Sequence, residues 1–158
     1  MELSYLGTDF LIYGLYKDWY LSHPEILEMD KRTELAYLRA SGALVIQAHP
    51  YREADYINHI RLYPRSVDGV EVINSSQPEE ANELVPLYAT HYGLLQTAGS
   101  DNHWGHGFTE HAILRGYSGH IAGIMTSEPL ESVEDFICAV REGKSKIFSL
   151  SEEHLQLP

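Results

Sequence analysis

Residues 94–106 read LLQTAGSDNHWGH, and the fold of this chain is organised around them. An apolar run ends at Gly99, and Asp101 and His103 follow with one residue between them. This pattern predicts a strand that ends at Ala98 and a loop that carries both side chains beyond it. In α/β folds ligands bind at that edge of the sheet, and carboxylate oxygens and imidazole nitrogens are good ligands for Zn, Mn or Fe. The alternative is a turn in which Asp101 accepts hydrogen bonds from backbone amides.

Residues 42–52 follow the same pattern, with the sequence GALVIQAHPYR. A continuously apolar strand is followed by His49, and Pro50 then halts the strand. Two strands that end in ligand-type side chains make His49 a third candidate ligand, beside Asp101 and His103. The alternative is a hydrogen-bonded turn histidine.

In combination and order, these motifs resemble the later part of the PHP (polymerase and histidinol phosphatase) domain. The matching stretches are AHPYR at 48–52, VDGVEVIN at 67–74 and AGSDNH at 98–103, and the segment from PLESVEDF at 129–136 through REGK at 141–144 resembles the C-terminal helix of that family. The resemblance extends from about residue 2 to residue 148. It implies a distorted β/α barrel with up to three divalent metals at the C-terminal ends of the strands, and metal-assisted hydrolysis of phosphate esters.

The sequence also departs from that family. The family begins with a His-x-His motif, whereas the first histidine here is His23 and no such pair precedes His49. Residues 1–4 resemble the strand end that carries the family's bridging glutamate, which makes Glu2 a candidate ligand; Asp9 is not counted as one. We predict one PHP-like domain over residues 1–158, corresponding to the C-terminal two-thirds of the family's fold. Its expected architecture is an incomplete, distorted β/α barrel with a mainly parallel sheet.

These considerations define a predicted site. The expected ligands of a divalent Zn, Mn or Fe ion are Glu2, His49, Asp101 and His103. Arg52 is expected to bind a phosphate through its guanidinium fork, although a surface salt bridge is an equal alternative. Glu71 alternates with Val70 and Val72 along its strand and is therefore either an interior residue near the site or an outward one. We expect Glu71 and Asn74 to support the ligands without contacting the ion.

The predicted function is that of a metal-dependent phosphoesterase, in which Arg52, Asp101 and His103 act on a phosphorylated small molecule through metal-activated water. One alternative is a non-catalytic remnant that serves as a binding or interaction module. Another is a fragment of a longer protein whose first strands hold the missing histidines. There is no Gly-x-Ser-x-Gly elbow to indicate a serine nucleophile and no Gly-rich loop to indicate nucleotide binding.

Composition narrows the expected partners. The net charge of −12 argues against binding to nucleic acid or to an anionic membrane, and no apolar run approaches the roughly 18 residues of a membrane span. The single Cys138 cannot form an internal disulfide, and no signal-peptide pattern precedes the first strand, so we expect a cytoplasmic protein. An open barrel exposes strand edges and apolar faces, which predicts a homo-oligomer.

Strand and helix patterns alternate along the chain, which predicts an α/β fold. Helices are expected from about residue 22 to residue 41 and over residues 53–62. A further helix pattern over residues 78–93 contains Pro86, which should kink or split it. Ser132 and Asp135 form a capping box before an apolar helix face.

Overall fold

The computed structural model describes residues 1–101 and 121–150 of the 158-residue chain. The strands in these ranges are β1 (Glu2–Tyr5), β2 (Thr8–Tyr13), β3 (Leu44–Gln47), β4 (Gly69–Asn74), β5 (Leu95–Gly99), β6 (Ile121–Thr126) and β7 (Ser145–Leu150). The helices are α1 (Lys17–Ser22), α2 (Lys31–Ala40), α3 (Glu79–Glu83), α4 (Val85–Tyr92) and α5 (Val133–Arg141), with a 3-10 helix over Pro24–Glu28.

The central sheet has five strands in the order β1-β2-β3-β4-β5. The first two pairings are antiparallel, and the pairings of β3 with β4 and of β4 with β5 are parallel. Strands β6 and β7 form a separate antiparallel pair. Among the described residues, the five-stranded sheet stays open and does not close into a barrel. The predicted α/β class is therefore confirmed in a coarser form, as a mixed sheet covered by helices.

The two faces of this sheet pack against different elements. On one face Phe10, Val45 and Val70 join the buried side chains of α2 and α4, including Leu35 and Val85. On the other face, Leu44 and Ile46 pack against Ile137 and Val140 of α5. Strand β3 is thus buried on both sides, as its continuous apolar sequence predicts. None of the helices in the described ranges is both long enough and apolar enough to cross a membrane.

Two predicted helix boundaries are confirmed. The pattern over residues 78–93 is split, because α3 ends at Glu83 and α4 begins at Val85 with Pro86 in its first turn. Helix α5 begins directly after Ser132, whose hydroxyl accepts a hydrogen bond from the Asp135 amide at 3.0 Å. The capping residues therefore position these helices as the sequence predicts.

The prediction of a single helix over residues 22–41 is wrong. A 3-10 helix ends at Glu28, and α2 starts afresh at Lys31. The side chain of Asp30 caps α2 by accepting hydrogen bonds from the amides of Arg32 and Thr33. A helix N-terminus capped in this way cannot continue a preceding helix, because the capping residue has extended backbone angles.

The prediction of a helix over residues 53–62 is also wrong, since this segment has no regular secondary structure. The buried side chain of Gln47 forms hydrogen bonds with backbone groups at the end of this segment. Its amide nitrogen donates to the Arg61 carbonyl at 2.7 Å, and its oxygen accepts from the Tyr63 amide at 3.1 Å. The segment is held in an irregular path across the end of β3 by these contacts.

Candidate metal centre

Three ligand-type side chains meet at the end of β3. Glu2, Asp9 and His49 each offer one potential ligand atom, and the three atoms lie within 4.8 Å of one another. The Nε2 atom of His49 is 3.4 Å from the Oδ2 atom of Asp9. Asp9 and His49 are buried, whereas Glu2 is exposed. A nitrogen and two carboxylates at this spacing are the donor set that Zn, Mn and Fe ions accept.

The register of the first hairpin brings Glu2 and Asp9 together. Glu2 pairs with Leu11 across the strands, and Asp9 lies two residues from Leu11 on β2. Side chains two apart on a strand share a face, so Asp9 is the diagonal neighbour of Glu2. Sequence reasoning did not count Asp9 as a ligand. The register is set by the two-residue turn at Leu6 and Gly7, both with positive φ, and Leu is not a residue whose presence predicts such a turn.

His49 has two unusual features. Its backbone has a φ of +26°, which is uncommon for a residue other than glycine. Its Nδ1 atom is buried and has no hydrogen-bond partner within residues 1–101 and 121–150. Strained backbones and unsatisfied buried polar atoms are costly, and in folded proteins they concentrate at functional sites.

Burial disfavours the charged form of His49. It lowers the pKa of His49, and the carboxylates of Asp9 and Asp101 oppose this effect only in part. A neutral imidazole retains a lone pair for an ion, whereas an imidazolium does not. The lowered pKa therefore favours the form of His49 that coordination requires.

Glu71 lies on the same face of the sheet as this group and is 4% exposed. Its Oε2 atom accepts hydrogen bonds from the His49 amide at 3.1 Å and from the Asn74 side chain at 2.8 Å. Burial raises the pKa of Glu71 to about 7, against the effect of these two hydrogen bonds. Of the two orientations that the sequence allowed for Glu71, the structure has the interior one. Glu71 contacts the backbone amide of His49, and Asn74 contacts Glu71.

The end of β5 accommodates this carboxylate. A Cβ atom at Gly99 would lie 2.6 Å from the Oε1 atom of Glu71, closer than real Cβ contacts allow. Glycine at this position therefore leaves room for Glu71 between β4 and β5. The role of Gly99 was not apparent from its place in the loop motif.

Asp101 follows β5 and has a φ of +49°. Its negative charge raises the pKa values of both His49 and Glu71, so it acts on the same group of side chains. Among the described residues, the cluster of ligand atoms comprises Glu2, Asp9 and His49 and does not include the predicted ligand Asp101. His103, the other predicted ligand of this loop, lies outside the described residues.

Arg52 faces the site. Its Nη1 atom is 3.3 Å from Asp9 Oδ2, and its Nη2 atom donates to the Tyr56 hydroxyl at 2.7 Å. Its backbone amide donates to the His49 carbonyl at 2.9 Å, which closes a tight turn after β3. Arg52 also borders an open depression of about 600 Å³ that is lined by residues 52–55 and 57–60. Arg52 thus contacts the carboxylate of Asp9 and also lines a space large enough for a small molecule.

Comparisons of the sequence with models of known protein families and with curated proteins gave no match.

Proposed function

We propose that this chain is a metal-dependent phosphoesterase of the PHP type. The observation that carries the proposal is the convergence of Glu2, Asp9 and His49 on one point at the end of β3. In the proposal, these three residues hold a divalent ion, and Asp101 and His103, which come after β5 in the sequence, complete its coordination. The substrate is a phosphorylated small molecule.

The chemistry of the donor atoms supports a metal-dependent hydrolysis. One neutral imidazole and two or more carboxylates suit Zn, Mn or Fe. A bound divalent ion supplies a Lewis acid that polarises a phosphoryl oxygen and makes hydroxide accessible near neutral pH. The approach of His49 Nε2 to Asp9 and the unusual backbone of this residue support a ligand role over that of an ordinary turn histidine.

The remaining side chains have distinct roles in the proposal. Glu71 keeps the His49 backbone in place through its hydrogen bond to the amide. Arg52 presents a planar guanidinium to a phosphoryl oxygen, a geometry that suits two parallel hydrogen bonds. The depression beside Arg52 receives the non-phosphate part of the substrate.

The proposed PHP fold draws support from the direction of these side chains. Every second residue of β2 lies on the same face, and these residues are Asp9, Leu11 and Tyr13. Glu71 of β4 lies on that face too. The polar residues lie at the end where parallel β/α folds bind ligands. The same face also packs against Ile137 and Val140 of α5, so helices cover both faces of the sheet in the described part of the chain.

The test is hydrolysis of a panel of small phosphate monoesters in the presence of Mn²⁺, Zn²⁺ or Fe²⁺. We expect Asp9→Asn to lower kcat/KM by about a hundredfold or more, because it removes a charged ligand. Glu134→Gln is the matched control, since Glu134 is an exposed acid on α5 whose side chain contacts Tyr16. Metal binding without hydrolysis of any ester would refute the proposal and favour a binding module.

A further inference from the structure

One carboxylate oxygen of Asp9 contacts two different side chains. Oδ2 is 3.4 Å from His49 Nε2 and 3.3 Å from Arg52 Nη1. Asp9 is thus both a member of the proposed ligand set and the partner of a guanidinium. Since Arg52 is always protonated, the site carries a permanent cation on one of its own ligands.

This arrangement opposes binding of a second cation. A divalent ion held by Asp9 would stand a short distance from the Arg52 guanidinium, and like charges partly withdrawn from water repel strongly at such distances. The ion pair also lowers the negative charge that Asp9 offers to a metal. Arg52 therefore competes with the ion while it contacts Asp9.

Arg52 has a second contact outside the site. Its Nη2 atom donates to the hydroxyl of Tyr56, and the guanidinium carbon is 5.9 Å from the centre of that ring. Tyr56 is 64% exposed and lies in the segment that borders the depression. The guanidinium can thus leave Asp9 while it keeps a partner at the surface.

We propose that Arg52 is a resident counter-cation of the site, which neutralises Asp9 in the metal-free protein and leaves it when a divalent ion binds. The released guanidinium then faces the depression, where it binds the substrate phosphate. Metal binding therefore precedes phosphate binding. The inference rests on the proposed function only in requiring that a divalent ion bind to Glu2, Asp9 and His49.

The test compares Mn²⁺ affinities by calorimetry on the chelator-treated protein. Arg52→Gln should bind Mn²⁺ about tenfold more tightly than the unsubstituted protein, because the competing charge is gone. Arg52→Lys keeps the charge and should bind Mn²⁺ within about threefold of the unsubstituted protein. A purely structural role for Arg52 predicts equal or weaker binding in Arg52→Gln.

Arg39→Gln is the matched control. Arg39 also forms an ion pair with a carboxylate, that of Asp68 at 2.8 Å, but Asp68 lies at the start of β4, at the opposite edge of the parallel strands. This variant changes the net charge of the chain equally and should leave Mn²⁺ affinity within about twofold. Equal tightening in both variants would overturn the proposal, because it would reflect overall charge alone.

A second readout uses inorganic phosphate. Phosphate should bind the Mn²⁺-loaded protein at least about fivefold more tightly than the metal-free protein, and Arg52→Gln should lose most of this gain. Phosphate binding that is equally tight without Mn²⁺ would overturn the displacement of Arg52. Absence of Mn²⁺ binding in all variants would overturn both this inference and the proposed function, whereas Mn²⁺ binding unaffected by Arg52→Gln would overturn the inference alone.

Discussion

The carboxylate of Glu71 accepts a hydrogen bond from the backbone amide of His49 at 3.1 Å. This contact joins a buried acid in the middle of β4 to the residue at which the chain leaves β3 with a positive φ. Buried charges are costly unless they are hydrogen-bonded, and Glu71 has two such bonds on a single oxygen. Glu71 therefore holds the backbone of His49 in place. Its burial lowers the stability of the protein when the carboxyl is ionised, so the cost depends on pH.

Substitution of Glu71 by Gln should change the pH dependence of stability. Burial raises the pKa of Glu71 from 4.5 to about 7, so between these values the folded state binds the proton more strongly than the unfolded state does. The contribution of Glu71 to stability is complete below pH 4.5 and is lost as the pH rises through about 7. Its size is roughly 3 kcal/mol. In Glu71→Gln the free energy of unfolding at pH 8, relative to that at pH 4.5, should rise by about this amount.

The measurement is urea unfolding at several pH values in the presence of a chelator. Glu134→Gln, at an exposed position, should follow the pH profile of the unsubstituted protein. Parallel profiles for Glu71→Gln and the unsubstituted protein would contradict the role of Glu71 as a buried, strained acid.

Gly99→Ala should destabilise the protein through the same carboxylate. The added methyl group would lie 2.6 Å from Glu71 Oε1, and the Glu71 side chain cannot yield freely because His49 and Asn74 hold its other oxygen. We expect a cost of about 1–3 kcal/mol in the free energy of unfolding. The double variant Glu71→Ala/Gly99→Ala should show a much smaller effect of the second substitution. Strictly additive effects in this cycle would show that the two positions do not interact.

Gln47→Leu should weaken the segment that borders the depression. Gln47 is fully buried, and its side chain forms the hydrogen bonds that hold Arg61 and Tyr63. Leucine leaves the half-buried Arg61 carbonyl and Tyr63 amide without these partners, at a cost of about 1–3 kcal/mol. Thermal unfolding and limited proteolysis within residues 53–62 would both report the change.

The control for Gln47→Leu is Gln96→Leu, because Gln96 lies on β5 with an exposed side chain. It should change stability by less than about 0.5 kcal/mol. Similar losses in the two variants would mean that the buried hydrogen bonds of Gln47 have no special role.

The sequence predicts the strands that carry the site better than the segments between them. Strand β3 and its C-terminal end follow from a continuous apolar run and from the Pro50 that halts it, and β4 follows from an apolar sequence interrupted by Glu71. The start of α5 follows from the capping box at Ser132, and the division between α3 and α4 follows from Pro86. These signals are local, because each depends on the backbone preferences of one or two residues.

The errors concern features that depend on distant contacts. Tyr56, Ile57 and Ile60 have helical spacing, yet Ile57 packs beside Gly7, where an added Cβ would be 2.7 Å from the Ile57 side chain. The segment therefore follows tertiary packing and the side chain of Gln47. Asp9 was left out of the ligand set because its approach to Glu2 depends on the register of a hairpin whose turn begins at a non-glycine residue with positive φ.

The central claim is that Asp9 and His49 hold a divalent ion, and metal content tests it most directly. The protein would be purified without chelator, soaked with Mn²⁺, dialysed and measured beside Asp9→Asn/His49→Gln, with Glu134→Gln as the control. We predict about one ion or more per chain in the unsubstituted protein and the control, and a loss of at least one ion per chain in the double variant. Equal metal content in all three proteins, or none in the unsubstituted protein, would contradict the account.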